Sequence, residues 1–218
     1  INYSKDTMLS FRVRTGSTRN QQSPHVTLVD FSTNGVGRQD ALVDKAFIKS
    51  KFGKTTGWIG RNGFPFCKQN ELFWDDDATI LGLAAIYKGY ELGGGKLGLR
   101  AGAFALPDGM RAFQGDLLAG QVTYDTAIAD TKLTAAGGYY HMGGAEKTAR
   151  WLNNNNGNRD YDIMMISVKA QRDFFGIPFT LGVDGMHNFH DYSASDANTF
   201  TATHEGEVDG VDVQLRIG

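Results

Sequence analysis

Three consecutive carboxylates, Asp75, Asp76 and Asp77, follow Trp74 in the stretch FWDDDATILGLAAIY. Clustered carboxylates can hold Ca2+ or divide general acid and base roles between them. Here the spacing matches no twelve-residue calcium loop, and neighbouring residues of an extended chain point to opposite sides. The four residues read instead as a polar loop leading into a strand, with the carboxylates in water at a mouth and Trp74 anchored at an interface. The histidines offer no better set. His187 and His190 are three apart, which on a strand sends them to opposite faces. His25, His141 and His204 accompany no Ser or Cys in a nucleophile motif. Cys67, the one cysteine, has no partner for an internal disulfide and no metal-ligand spacing. LGGGKLG (residues 92–98) lacks both the G-x-x-x-x-G-K-[ST] pattern and the following helix of a phosphate cradle, and reads as a hairpin turn. The expectation is a protein without catalytic residue, metal or cofactor.

What remains is a row of charges. Arg12, Arg14, Lys45, Lys49, Lys51, Lys96, Arg100, Lys132, Lys169 and Arg216 recur with Asp116, Asp125, Asp184 and Asp212 among them. On a soluble protein these are ordinary surface charges. On the inner wall of a water-filled barrel they set the field felt by a passing solute, and their basic excess favours anions.

The elements that would carry this row are strands. In KLGLRAGAF (residues 96–104), Leu97, Leu99, Ala101 and Ala103 form one face, opposed by Lys96, Gly98, Arg100, Gly102 and Phe104. The same period of two runs through Leu118 to Asp125, Lys132 to Tyr140, Met164 to Gln171, Phe179 to Asp184 and Val211 to Ile217. Leu9 to Arg14 and Lys45 to Lys51 alternate likewise, and Thr55 to Arg61 and Ala78 to Lys88 are further strands. Roughly ten strands result.

Composition narrows the classes. The chain has 218 residues, 28 of them glycine and only 4 proline, with 11% aromatics, a mix that favours strands and turns. Lys and Arg number 22 against 24 Asp and Glu, so no basic footprint for nucleic acid exists. Mean hydropathy is -0.33, and no apolar run approaches a membrane helix. A transmembrane barrel is not excluded by that, because its strands alternate.

Alternation alone fits a sandwich as well as a barrel. Two features favour the barrel. Short links at Asp125–Asp130 and Phe174–Ile177 sit beside long polar ones at 17–40, 62–77, 143–160 and 191–209, the asymmetry of an outer-membrane barrel. Tyr87, Tyr90, Phe104, Tyr124, Tyr139, Tyr140, Tyr161, Phe179 and Phe189 lie near strand ends, where aromatic girdles would stand. The sandwich alternative is a soluble carbohydrate-binding module using exposed Trp58, Trp74 or Trp151. A non-conducting structural barrel of the outer membrane is a third.

The stretch GWIGRNGFPFCKQNELFWDDDATILGLAAIYK resembles a porin family of Gram-negative outer membranes. The likeness is carried by Gly60, Pro65, Phe66, Trp74, Asp75, Asp77, Gly82, Ala84 and Tyr87, with FRVRTGSTRN and DKAFIKSKF upstream. It implies an all-β, antiparallel up-and-down transmembrane β-barrel, with residues 1–218 one domain that is incomplete at both ends. About 16 or more strands would close such a pore. It further implies passive diffusion of small hydrophilic solutes or ions, contact with outer-membrane lipid, and a homotrimer as the common assembly.

Overall fold

Ten antiparallel strands form a single sheet whose order in space is their order in the chain. This computed structural model describes residues 4–16, 40–72, 74, 76, 79–105, 116–143, 161–192 and 206–218. The strands are β1 (Thr7–Gly16), β2 (Asp40–Phe52), β3 (Thr55–Gly63), β4 (Thr79–Leu92), β5 (Gly95–Ala105), β6 (Asp116–Ile128), β7 (Thr131–Gly143), β8 (Tyr161–Phe174), β9 (Ile177–Tyr192) and β10 (Gly206–Ile217). No helix occurs among the described residues. The architecture is all-β and up-and-down as expected. β1 and β10 are not paired with each other, so the sheet is open in this segment.

Two-residue turns join the strands at one end. At Phe175–Gly176 both central residues have positive φ (55° and 81°), the twist-matched geometry that lets neighbouring strands stay in register. Long connections all lie at the other end, after β1, β3, β5, β7 and β9. Several strands run longer than the alternation indicates: β2 reaches back to Asp40 and β9 forward to Tyr192.

Burial divides the sheet in an inverted way. On most strands the outward Leu, Val and Ile side chains are exposed: Ile166 on β8 is 54% accessible and Val211 on β10 71%, while Ser167 and Asp184 on the opposite face are each 1% accessible. The polar face is covered by residues 64–72, with Trp74 and Asp76, between β3 and β4. Leu72 lies against Gly210 of β10, 3.4 Å from where a β-carbon there would stand, and by Thr79 the chain is in β4. The nine residues from Phe64 to Leu72 thus reach wall strands from β5 to β10; the polar row, inside, lies beneath the segment and the apolar row, outside, faces away from it.

The inner face is less polar than the alternation suggests. Phe47, Trp58, Ile80, Phe104, Leu117, Tyr140, Met142, Ile163 and Met165 project inward and, with Phe66 and Trp74 of the covering segment, make one buried apolar cluster. Phe104 and Tyr140 are thus removed from the girdle expected of them: each sits on the inward parity of its strand.

Candidate functional site

The site is built from the segment that follows β3. Its sequence, FPFCKQNEL, supplies rings at 64 and 66, then a polar run that can satisfy its own backbone only by bonding the wall. The rings seat first against the wall. Phe64 stacks on Trp74 with centroids 4.7 Å apart and planes 9° from parallel, and meets Tyr140 edge-on at 5.6 Å. Phe66 packs against Phe104 at 6.1 Å and Tyr140 at 5.3 Å. Close approach is possible because the wall carries glycines there. A β-carbon on Gly102 would lie 2.2 Å from the Phe104 ring, and one on Gly182 would lie 2.8 Å from Cβ of Gln69.

Three inward side chains then hold the backbone. Arg100 of β5 donates through Nη1 to the carbonyl of Pro65 at 2.7 Å. Gln121 of β6 reads both backbone groups of Cys67, accepting from its N–H at 2.7 Å and donating to its carbonyl at 2.9 Å. Asp184 of β9 accepts the N–H groups of Gln69 and Asn70 on Oδ2, at 2.7 and 2.9 Å. Gln69 also donates through Nε2 to Ser167 of β8 at 3.1 Å. The segment is thereby fixed to five successive strands of the inner wall, to β5, β6, β8 and β9 through polar contacts and to β7 through Tyr140.

The charged row anticipated from the sequence is divided by this packing. Arg12 and Arg14 of β1 both turn onto Asp44 of β2, which is 2% accessible; Arg12 bonds it through Nε, and Arg14 Nε stands 3.1 Å away. Arg100 and Asp184 serve the covering segment. Lys49 is exposed on β2, and Lys45 reaches toward Gly63 at the end of β3. Lys96, Asp125 and Lys132 gather toward the short-turn end around a recess of about 630 Å3. Lys169 and Arg216 line a second recess of about 320 Å3 with Lys68 and Asp76. Asp212 faces Asp184 in register and is half-buried. The side chain of Asp116 lies outside what the structure describes.

At the opening motif, Trp74 is 3% accessible against the inner wall rather than anchored at an outer interface. Its ring finds more buried contact by stacking on Phe64. Asp76 pairs with Lys68 at 2.5 Å, and Asp75 and Asp77 fall outside the described residues. No group of three His, Cys, Asp or Glu side chains converges among the described residues. Trp58, like Trp74, is buried at 6% accessibility, and Trp151 is outside the described residues.

Sequence reasoning missed Asp44, Lys68 and the clamp residue Gln121. Asp44 was legible as an acidic residue beside Lys45, but its pairing depends on a register shift between Arg12 and Val13 that no local pattern announces. No family model, no curated protein and no solved structure matches this chain.

Proposed function

We propose that this chain forms wall and constriction of an outer-membrane porin, a water-filled channel for passive diffusion of small hydrophilic solutes or ions. The observation that carries the reading is the inverted burial: exposed aliphatic rows outside, packed polar and charged groups inside. A wall of that kind lowers its free energy when lipid covers the outer face, at about 25 cal/mol per Å2 of apolar surface removed from water. The outer aromatics support the same arrangement. Phe179 and Phe189 stand ten residues apart on the outward parity of β9, with Phe174 beside the first at 5.2 Å and Tyr139 beside the second at 6.5 Å. Ten residues span about 33 Å along a strand, and about 25 Å across the membrane at a tilt of about 40°, the height of a barrel's apolar band.

In this reading residues 64–72, with Trp74 and Asp76, narrow the lumen, the charges left in the two recesses set its field, and no reaction is catalysed. Outer-membrane lipid is the partner of the outer face, and association into a homo-oligomer such as a trimer would use that face too. The test is reconstitution of the full-length protein from detergent into a planar bilayer under a salt gradient. Discrete ohmic steps with a reversal potential of the anion-selective sign are expected. A protein that is monodisperse without detergent and gives no steps overturns the reading.

A further inference from the structure

The two inner recesses differ in charge. In the larger, Lys96 stands in register between Glu91 and Asp125, and Lys132 is the only other cation, so two cations meet two carboxylates. In the smaller, Lys68, Lys169 and Arg216 meet only Asp76, which is already paired with Lys68. Among the described residues neither Lys169 nor Arg216 has an ion pair or a hydrogen bond.

The strand register gives this smaller recess its shape. Lys169, Gly182 and Gln214 lie in one row across β8, β9 and β10, and Gln171, Thr180 and Arg216 lie in the next. The two unpaired cations thus stand on opposite strands of a three-strand floor and one row apart, about 12 Å between their backbones. Between them is Gly182, which has no side chain. Gln69 closes one end by resting on Gly182, and Lys68 with Asp76 forms the roof. Besides the Asp76 carboxylate, the polar side chains of the lining are two ammonium groups, a guanidinium, carboxamides and a hydroxyl, all able to donate hydrogen bonds.

We propose that this recess is a binding site for a small dianion bearing carboxylate or phosphate oxygens. Three cations against one carboxylate leave two positive charges to match. Arg216 offers the planar fork that pairs two oxygens at once, and Lys169 a point charge for the other end of the ligand. An apolar solute finds no partner here, and chloride cannot bridge the two cations. The inference rests on the channel reading insofar as the recess faces the lumen, and it assigns the anion preference to one place on the wall.

The experiment is calorimetric titration of the full-length protein in detergent with succinate and, separately, with inorganic phosphate, at constant ionic strength in chloride. Channel current under the same additions is recorded in parallel. At least one dianion should bind, and R216Q and K169Q should each weaken it by about tenfold, the scale of one charge-assisted hydrogen bond. K132Q, in the balanced recess, should leave it unchanged. Succinate binding without phosphate identifies a dicarboxylate-type ligand, and phosphate without succinate a phosphoryl-type one. The proposal is overturned if neither dianion binds, or if binding survives both R216Q and K169Q. Conductance without binding rejects the site and keeps the channel; binding without conductance keeps the site and rejects the channel.

Discussion

Removing the Asp184 carboxylate should release the segment that covers the inner wall. Oδ2 of Asp184 accepts two backbone N–H groups, from Gln69 and Asn70, at 2.7 and 2.9 Å. Charge-assisted bonds of that length contribute about 1.5 to 3 kcal/mol each. Against that stands the cost of burying the carboxylate, which is 1% accessible, and Asp184→Ala removes this cost together with the bonds. The alanine also strands two N–H groups under the segment at about 1 to 3 kcal/mol apiece. A net loss of about 3 kcal/mol follows, or about 150-fold in the docking equilibrium. Cys67 reports it directly: it is the one cysteine of the chain, lies in the segment two residues before Gln69, and is half-buried. Its rate of modification by a maleimide should rise at least tenfold in Asp184→Ala, the reactivity of the docked thiol setting a floor. Asp184→Asn keeps one oxygen for both N–H groups and should show a smaller rise. Asp212→Ala, opposite Asp184 in register but with no bond to the described residues of the segment, should show none. Equal labelling rates in Asp184→Ala and the parent protein would refute the clamp.

Trp74→Ala should cost about 3 to 5 kcal/mol by emptying the stack on Phe64, read as a lower urea midpoint and faster Cys67 labelling. Gly102→Val places carbon where the Phe104 ring stands and should lower the thermal midpoint. Gly120→Ala, with no atom within 4 Å of the new carbon, should leave it in place. Val168→Arg, on the outer face, should destabilise by about 2 to 4 kcal/mol in urea refolding into lipid vesicles if that face meets the bilayer midplane. A change within about 0.5 kcal/mol, as for a water-exposed site, would count against the membrane wall.

Period-two alternation marks eight of the ten strands, because each side chain's face is fixed by its parity once the chain is extended; β3 and β4, with apolar or small residues on both faces, are legible as strands without it. It also separated Leu99 from Arg100 and Val168 from Lys169 correctly. Parity does not say which face is covered. The aromatics show the limit: Phe104 and Phe179 both lie near strand ends, yet one is 2% accessible inside and the other packs outside against Phe174. Parity sets Phe104 with Arg100 and Phe179 with Leu181, but that the Phe104 face is the covered one follows only from the non-local segment seated on it. The same holds for Gln121, an unremarkable polar residue on β6 until Cys67, 54 positions away in the chain, is laid against it.

The charge of the wall changes once that segment is in place. Counted along the strands, the inward row is strongly basic, but Arg12 and Arg14 converge on Asp44, and Arg100 is spent on the Pro65 carbonyl. Asp184 leaves the acidic side of the count when it is sealed beneath Gln69 and Asn70, while Lys68 and Asp76 enter from the segment itself. Among the described residues of the two recesses, the open charges are then balanced around Lys96 and Lys132 and in excess around Lys169 and Arg216. A preference for anions would arise from that local excess and would depend on the segment that roofs it. If the chain forms the proposed channel, releasing the segment by Asp184→Ala should weaken selectivity and widen the passage, whereas R216Q should weaken selectivity with the passage unchanged.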